Sequence, residues 1–151
     1  MTTGYAKSQE ASLGSGPPQL TESWALTTAA RKMLEAKERP DDIDGLTQAV
    51  RINWRLWTIF QAELIEPTSP MPADIRSNLL SLAAFVDKQS TSILGDPKPE
   101  KLDVLININR QIAAGLAESG RRQQEGDAAA RNAAQQQTPA GAATTSRDTR
   151  A

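Results

Sequence analysis

The chain has 151 residues, enough for one domain, and 17 Lys plus Arg against 18 Asp plus Glu leave a formal net charge of −1. It contains neither Cys nor His, which excludes disulfides, thiolate and imidazole metal sites, and every nucleophilic arrangement built on those side chains. The remaining Asp, Glu, Lys, Tyr, Ser and Thr form no recognisable catalytic set, so the sequence predicts a non-enzymatic protein with no cofactor and no metal.

Balanced charge supplies no overall electrostatic reason to bind nucleic acid or an anionic membrane. The tail from Gly120 onward is mildly basic behind a mildly acidic body, too small an asymmetry to carry a nucleic-acid role. The amino terminus MTTGYAKSQEASLGSG has no apolar signal core. No segment approaches the ~20 apolar residues of a membrane span. The expected address is therefore cytoplasmic, without membrane insertion.

Residues 1–16 are polar and glycine-bearing, and read as a flexible arm. Tyr5, the only tyrosine, is either a loose surface aromatic or an anchor for the body or a partner. A helical domain is predicted over residues 17–119. Pro17 and Pro18 open its first helix, since the first turn does not use their missing amides. Leu20, Trp24, Thr27 and Leu34, with Leu26, Ala30 and Met33, continue it to about Lys37, before Pro40. Trp24 is assigned to the core.

Asp41, Asp42 and Asp44 precede Gly45. A calcium loop needs ligands spread around a longer turn, so these carboxylates read as a cap and as first-turn compensation of the helix dipole. The stretch from Ile43 to Ile65 forms the central helix, which runs to Glu66 and stops at Pro67. Its main stripe, Leu46, Val50, Asn53, Trp57, Phe60 and Leu64, recurs at alternating steps of four and three. Ile52, Leu56 and Ile59 widen the apolar surface beyond the needs of a surface helix. Asn53 fixes register inside the core, lines a partner-binding groove or sits at the edge of the core, and Trp54 serves either a side cluster or a partner. Arg51 and Arg55, four apart, share another face with Thr58.

The prolines of Pro67-Thr68-Ser69-Pro70-Met71-Pro72 restrict the backbone and direct a sharp return. A third helix follows from Ala73, with Ile75, Leu79, Leu82, Val86 and Ile93 at helical spacing, Phe85 able to join either face, and Gly95 as a C-terminal cap. Asp96-Pro97 begins the fourth. Its stripe is Leu102, Leu105, Ile108, Ile112 and Leu116, and the four-three rhythm outweighs the β-branched character of Val104-Leu105-Ile106-Asn107-Ile108. Gly115 is expected to permit close helix contact. Residues 120–151 contain no Leu, Ile, Val or aromatic residue and are predicted to be a disordered Ala/Gln-rich tail. The fold class is thus all-α, four main amphipathic helices in a compact or partly open bundle with that tail.

Three pieces in order, Asn53-Trp54-Arg55-Leu56-Trp57, Pro72 to Leu82 leading to Phe85-Val86, and Ile106-Asn107-Ile108-Asn109-Arg110-Gln111-Ile112 leading to Gly115-Leu116, together resemble the flagellar biosynthesis regulator FlaF family of alphaproteobacteria. The likeness spans roughly Tyr5 to Leu116, although Pro18-Gln19-Leu20 lacks the Arg-Glu pair common at that entry. The resemblance implies a cytoplasmic adaptor or secretion chaperone for flagellin, working with FlbT, a regulator that acts on flagellin messenger RNA. The partners it implies are flagellin and FlbT. Candidate partner-binding residues are Tyr5, Asn53, Trp54, Arg55, Phe60, Arg76, Asn109 and Arg110. Core candidates are Trp24, Leu46, Val50, Trp57, Leu79, Leu82, Phe85, Leu105, Ile108 and Ile112. Two other readings remain beside this one: a self-associating helical scaffold, which would be a homo-oligomer, and direct binding of flagellin messenger RNA through the arginines, which the charge balance disfavours.

Overall fold

The computed structural model describes residues 17–69 and 71–148, with side chains described to residue 136. Tyr5 lies outside the described residues. Among the described residues four α-helices follow in order: α1 (Pro18–Lys37), α2 (Ile43–Ile65), α3 (Ala73–Gly95) and α4 (Asp103–Asp148), with a 3-10 turn at Pro99–Leu102 leading into α4. Among the described residues there is no strand, and Val104 to Ile108 are helical. The described residues form two compact units, Glu22–Gly115 and a smaller one made of residues 17–21 with residues 116–148.

Local chemistry sets the helix limits. Asp42 caps α2, its side chain accepting from the Gly45 N–H at 2.9 Å, which satisfies a donor with no intrahelical partner. α2 stops before Pro67, with the Glu66 N–H turned back to the Glu63 carbonyl. Gly95 is the last residue of α3, not its cap. That role falls to Asp96, whose N–H reaches the Ser92 and Ile93 carbonyls. The entry to α4 departs from the Asp96-Pro97 start expected from the sequence, because Pro99 opens a tight 3-10 turn first.

In the larger unit the main stripe of α2 is the buried one: Leu46, Val50, Asn53 and Trp57 are fully buried, and Phe60 and Leu64 nearly so. Leu79 and Leu105 are also buried. Each such apolar side chain contributes on the order of 1.5–3 kcal/mol when fully removed from water. Leu82, Ile108 and Ile112 are only half-buried.

Trp24 and Phe85 are corrections to the sequence reading, standing 51% and 41% exposed. On α1 the buried set is Ser23, Leu26, Ala29, Ala30 and Met33, a face turned well away from Trp24 at 100° per residue. Ser23 explains the choice. Its hydroxyl donates to the Ala113 carbonyl at 2.7 Å, so the small side chain lets α1 approach α4 with its polar atom satisfied. On α3 the stripe Leu79, Ala83, Val86, Ser90 and Ile93 is buried, and Phe85 falls off its edge.

One carboxyl in this unit is tuned by its surroundings. Glu22, at the start of α1, is half-buried. Burial first, then a hydrogen bond and charge repulsion from Glu63 of α2, push its pKa from 4.5 up to about 8. The folded state therefore holds a proton that the unfolded chain releases above 4.5. Stability associated with Glu22 is fully present below that pH and is lost as pH rises through about 8. Thermal melts across this window are expected to fall with pH in the wild type and to flatten in Glu22→Gln, which keeps a neutral hydrogen-bonding group. Parallel profiles for the two proteins would remove Glu22 as the cause.

In the backbone, α4 continues through Gly120 to Asp148. Every described side chain from Arg121 to Gln136 is nonetheless exposed, as the lack of large apolar residues requires. Backbone helicity here rests on the intrinsic propensity of Ala, Gln, Arg and Glu, and on Glu118 paired with Arg121 at 2.8 Å and Arg122 at 3.2 Å.

Two glycines of α4 differ in kind. A Cβ at Gly115 would meet nothing within 4 Å, so the close contact expected there is absent. At Gly120 a Cβ would stand 2.7 Å from Leu20 Cγ, and the close approach belongs to the smaller unit. Gly115→Ala is expected to stabilise by roughly 0.5–1 kcal/mol through helix propensity. Gly120→Ala, which must displace Leu20, is expected to cost about 1–3 kcal/mol. Chemical denaturation of both variants gives the two signs, and equal effects would contradict the assignment.

Candidate partner-binding surface

The rotation of α2 that buries Trp57 fixes what the rest of the helix can present. Asn53, Phe60 and Asn109, all candidates for partner contact, are buried, and so are withdrawn from any surface. The two asparagines join a polar network inside the core. Trp57 Nε1 donates to Asn109 Oδ1 at 2.9 Å. Asn109 Nδ2 in turn donates to Asn53 Oδ1 at 2.7 Å and to the Leu26 carbonyl at 3.2 Å. This network joins α1, α2 and α4, and buried amides need such partners because each orphaned group costs on the order of 1–3 kcal/mol. Asn53 Nδ2 has no hydrogen-bond partner among the described residues.

A quarter-turn from the buried stripe, Trp54 emerges at the seam between α2 and α3. Its indole Nε1 donates to Asp87 Oδ1 at 2.8 Å. The carboxylate thereby fixes the ring in one orientation while leaving it half-buried. Beside it, Arg51, Arg55 and Thr58 on α2 and Leu94 on α3 complete the lining of an open cleft of about 440 Å³. Arg51 and Arg55 are exposed and take part in none of the ion pairs among the described residues. Like charges four apart on a helix cost about 0.2–0.5 kcal/mol, and no ion pair among the described residues offsets them.

The structure therefore brings Trp54 and Arg55 together and separates them from the other candidates. Arg76 lies half-buried in the first turn of α3, and Arg110 is exposed on α4, neither lining the cleft. Asp87 and Leu94 escaped the sequence reading. They lie seven residues apart, hence on one side of α3, but only the register between α2 and α3 shows that this side meets Trp54. Several large apolar side chains also stand exposed, with Ile59 at 54% and Ile65 at 63%.

The surface offers cations, an oriented aromatic ring and apolar contact area. Among the described residues no cluster of His, Cys, Asp or Glu is arranged to hold a metal ion, and no helix is long and apolar enough to cross a membrane. A family model described as Flagellar protein FlaF matches residues 1–116. No match was found among curated proteins or among solved structures.

Proposed function

Because the chain belongs to the FlaF family of flagellar proteins, we propose that it is a non-enzymatic regulator of flagellar biogenesis, acting as a flagellin-directed adaptor or secretion chaperone together with FlbT. The family match over residues 1–116 carries this reading. Membership supports a role in flagellar biogenesis, and the physical character of the body supports protein recognition as its means. The core polar groups are largely spent on one another, whereas Trp54, Arg51 and Arg55 remain accessible beside α3. An unassembled flagellin chain must have its apolar helical segments covered before polymerisation, and an open seam with an aromatic ring suits such a segment. The work of the protein would then be cytoplasmic: holding flagellin for export and coupling its availability to FlbT.

The test is reconstitution of the full chain with flagellin and FlbT, separately and then together, read by sedimentation velocity. A stable complex with either protein, or one requiring all three, is the expected result. Trp54→Ala should weaken it by roughly ten-fold or more, since aromatic anchors commonly cost at least 1–2 kcal/mol on truncation, while the helical circular dichroism stays at the wild-type value. Undiminished affinity in folded W54A removes Trp54 as an anchor. Failure of the wild-type chain to bind either protein rejects the adaptor reading, and self-association alone would replace it with the scaffold one.

A further inference from the structure

We propose that the cleft between α2 and α3 receives an acidic stretch of a partner protein, in which two carboxylates one helical turn apart engage Arg51 and Arg55 while an apolar side chain between them lies against Trp54 and Leu94. The inference rests on the reading of this chain as a protein-binding adaptor, and adds the chemistry of the partner.

Three observations carry it. First, the charged side chains lining the cleft among the described residues are both cationic: Arg51 and Arg55 are exposed and outside the ion pairs formed among the described residues, while the neighbouring Asp87 carboxylate accepts from the Trp54 indole. Two other open surfaces lack that property. The groove between α1 and α2 mixes Lys32 and Arg39 with Glu35 and Asp42, and the cleft of the smaller unit sets Asp127 against Arg131. Second, the spacing is selective. Residues four apart on a helix stand within one turn of each other, so their guanidinium groups match carboxylates presented at the same interval, with bidentate geometry available to each. Third, the Trp54 indole N–H is already committed to Asp87 at 2.8 Å. The ring is held at the seam and offers its hydrocarbon, not a donor, to whatever enters. Such a site selects a sequence that alternates acid with an apolar residue.

A single-stranded nucleic acid also brings anions and flat groups, but it needs a basic track along several phosphates. Here two arginines stand on a chain of net charge −1. The acidic turn Asp41-Asp42-Ile43-Asp44 of a second copy, with Ile43 43% exposed, is the other occupant of suitable composition, and the experiment separates both.

The probe is a short helix-forming peptide with two glutamates one turn apart around a leucine, titrated into the full ¹⁵N-labelled chain. Its glutamine counterpart and a single-stranded RNA oligonucleotide are run in parallel. The expected result is that the acidic peptide shifts the Trp54 indole resonance and leaves that of Trp24 in place. It should bind roughly ten-fold or more tightly than the glutamine peptide, with an affinity that falls as salt is raised. R51E/R55E should lose that preference while keeping the wild-type melt, and a peptide with lysines in place of the glutamates should recover binding to it. R51Q/R55Q serves as the milder variant, with the preference lost but not reversed. Equal binding of both peptides, an unmoved Trp54 resonance, tighter binding of RNA at the same indole, or self-association abolished by R51E/R55E each overturns the proposal. Flagellin and FlbT are tested against the same variants. If R51E/R55E binds them as the wild type does, the cleft assignment fails and the adaptor reading stands. If the wild type binds neither, the adaptor reading fails and the peptide titration still decides the cleft.

Discussion

Trp57→Ala is expected to be the most damaging single substitution in the chain, lowering the free energy of unfolding by roughly 3–5 kcal/mol. Trp57 is fully buried. Its ring meets Phe60 edge-on at 5.6 Å between centroids, an arrangement that aromatic pairs favour. Truncation opens a cavity and leaves Asn109 Oδ1 without the donor that reaches it at 2.9 Å. Both effects act in the same direction. A protein of ordinary stability holds only about 5–15 kcal/mol, so the variant loses a large share of what it has. Urea unfolding followed by far-UV circular dichroism measures the change. Trp57→Phe retains much of the packing and removes the N–H, which isolates the hydrogen bond. Trp24→Ala is the control, because a half-exposed side chain off the core stripe should cost about 0.5 kcal/mol or less. If W57A and W24A unfolded at the same urea concentration, Trp57 would not hold the core together.

That contrast between two tryptophans also marks how far the sequence could be read. On α2 the apolar stripe was legible in full, because Leu46, Val50, Trp57, Phe60 and Leu64 outweigh any competing face. On α1 two stripes compete, and the one containing Trp24 is richer in large side chains than the one that is buried. What decides is the neighbour: the small Ser23 finds the Ala113 carbonyl, a contact ninety positions away that periodicity cannot register. The same limit applies to α4. Its expected stripe ran through Ile108 and Ile112, whereas the buried positions include Asn109 and Ala113. A buried amide looks misplaced until its partners are known, and those partners are on α1 and α2. At the candidate surface, Trp54 and Arg55 were recognisable as lying off the core stripe. Asp87 and Leu94 were not, since their meeting with Trp54 depends on the offset between two helices. For the tail the limit is of a different kind. Burial patterns carry no information about a helix whose described side chains beyond Gly120 are all exposed, leaving local propensity as the only guide.

The second large effect is expected at Asn109. Asn109→Ala withdraws the acceptor for Trp57 Nε1 and the donor for Asn53 Oδ1 and the Leu26 carbonyl. The Leu26 carbonyl, within α1, retains its place in the helix ladder, so two groups bear most of the loss. At about 1–3 kcal/mol for each orphaned buried group, the substitution is expected to cost roughly 2–5 kcal/mol. Asn53→Ala should cost less, because it removes one acceptor together with an Nδ2 that has no partner among the described residues. The two changes act on a shared bond of 2.7 Å, so the double variant should be more stable than the sum of the single losses implies, by about 0.5–3 kcal/mol. Strict additivity would show that the asparagines do not act as a unit. Asn53→Leu with Asn109→Leu carries the argument further. Apolar replacements leave no amide to satisfy and only the Trp57 N–H unpaired, and stability should recover relative to N109A to the extent that the larger side chains fit. Dispersion of the amide resonances then separates energy from specificity: a stable double-leucine protein with collapsed dispersion would mean that the asparagines set helix register, whereas full dispersion would mean that apolar shape alone suffices. In the first case Trp54 and Leu94 would no longer be held in one alignment, and binding at the α2–α3 cleft should weaken even though neither asparagine reaches it.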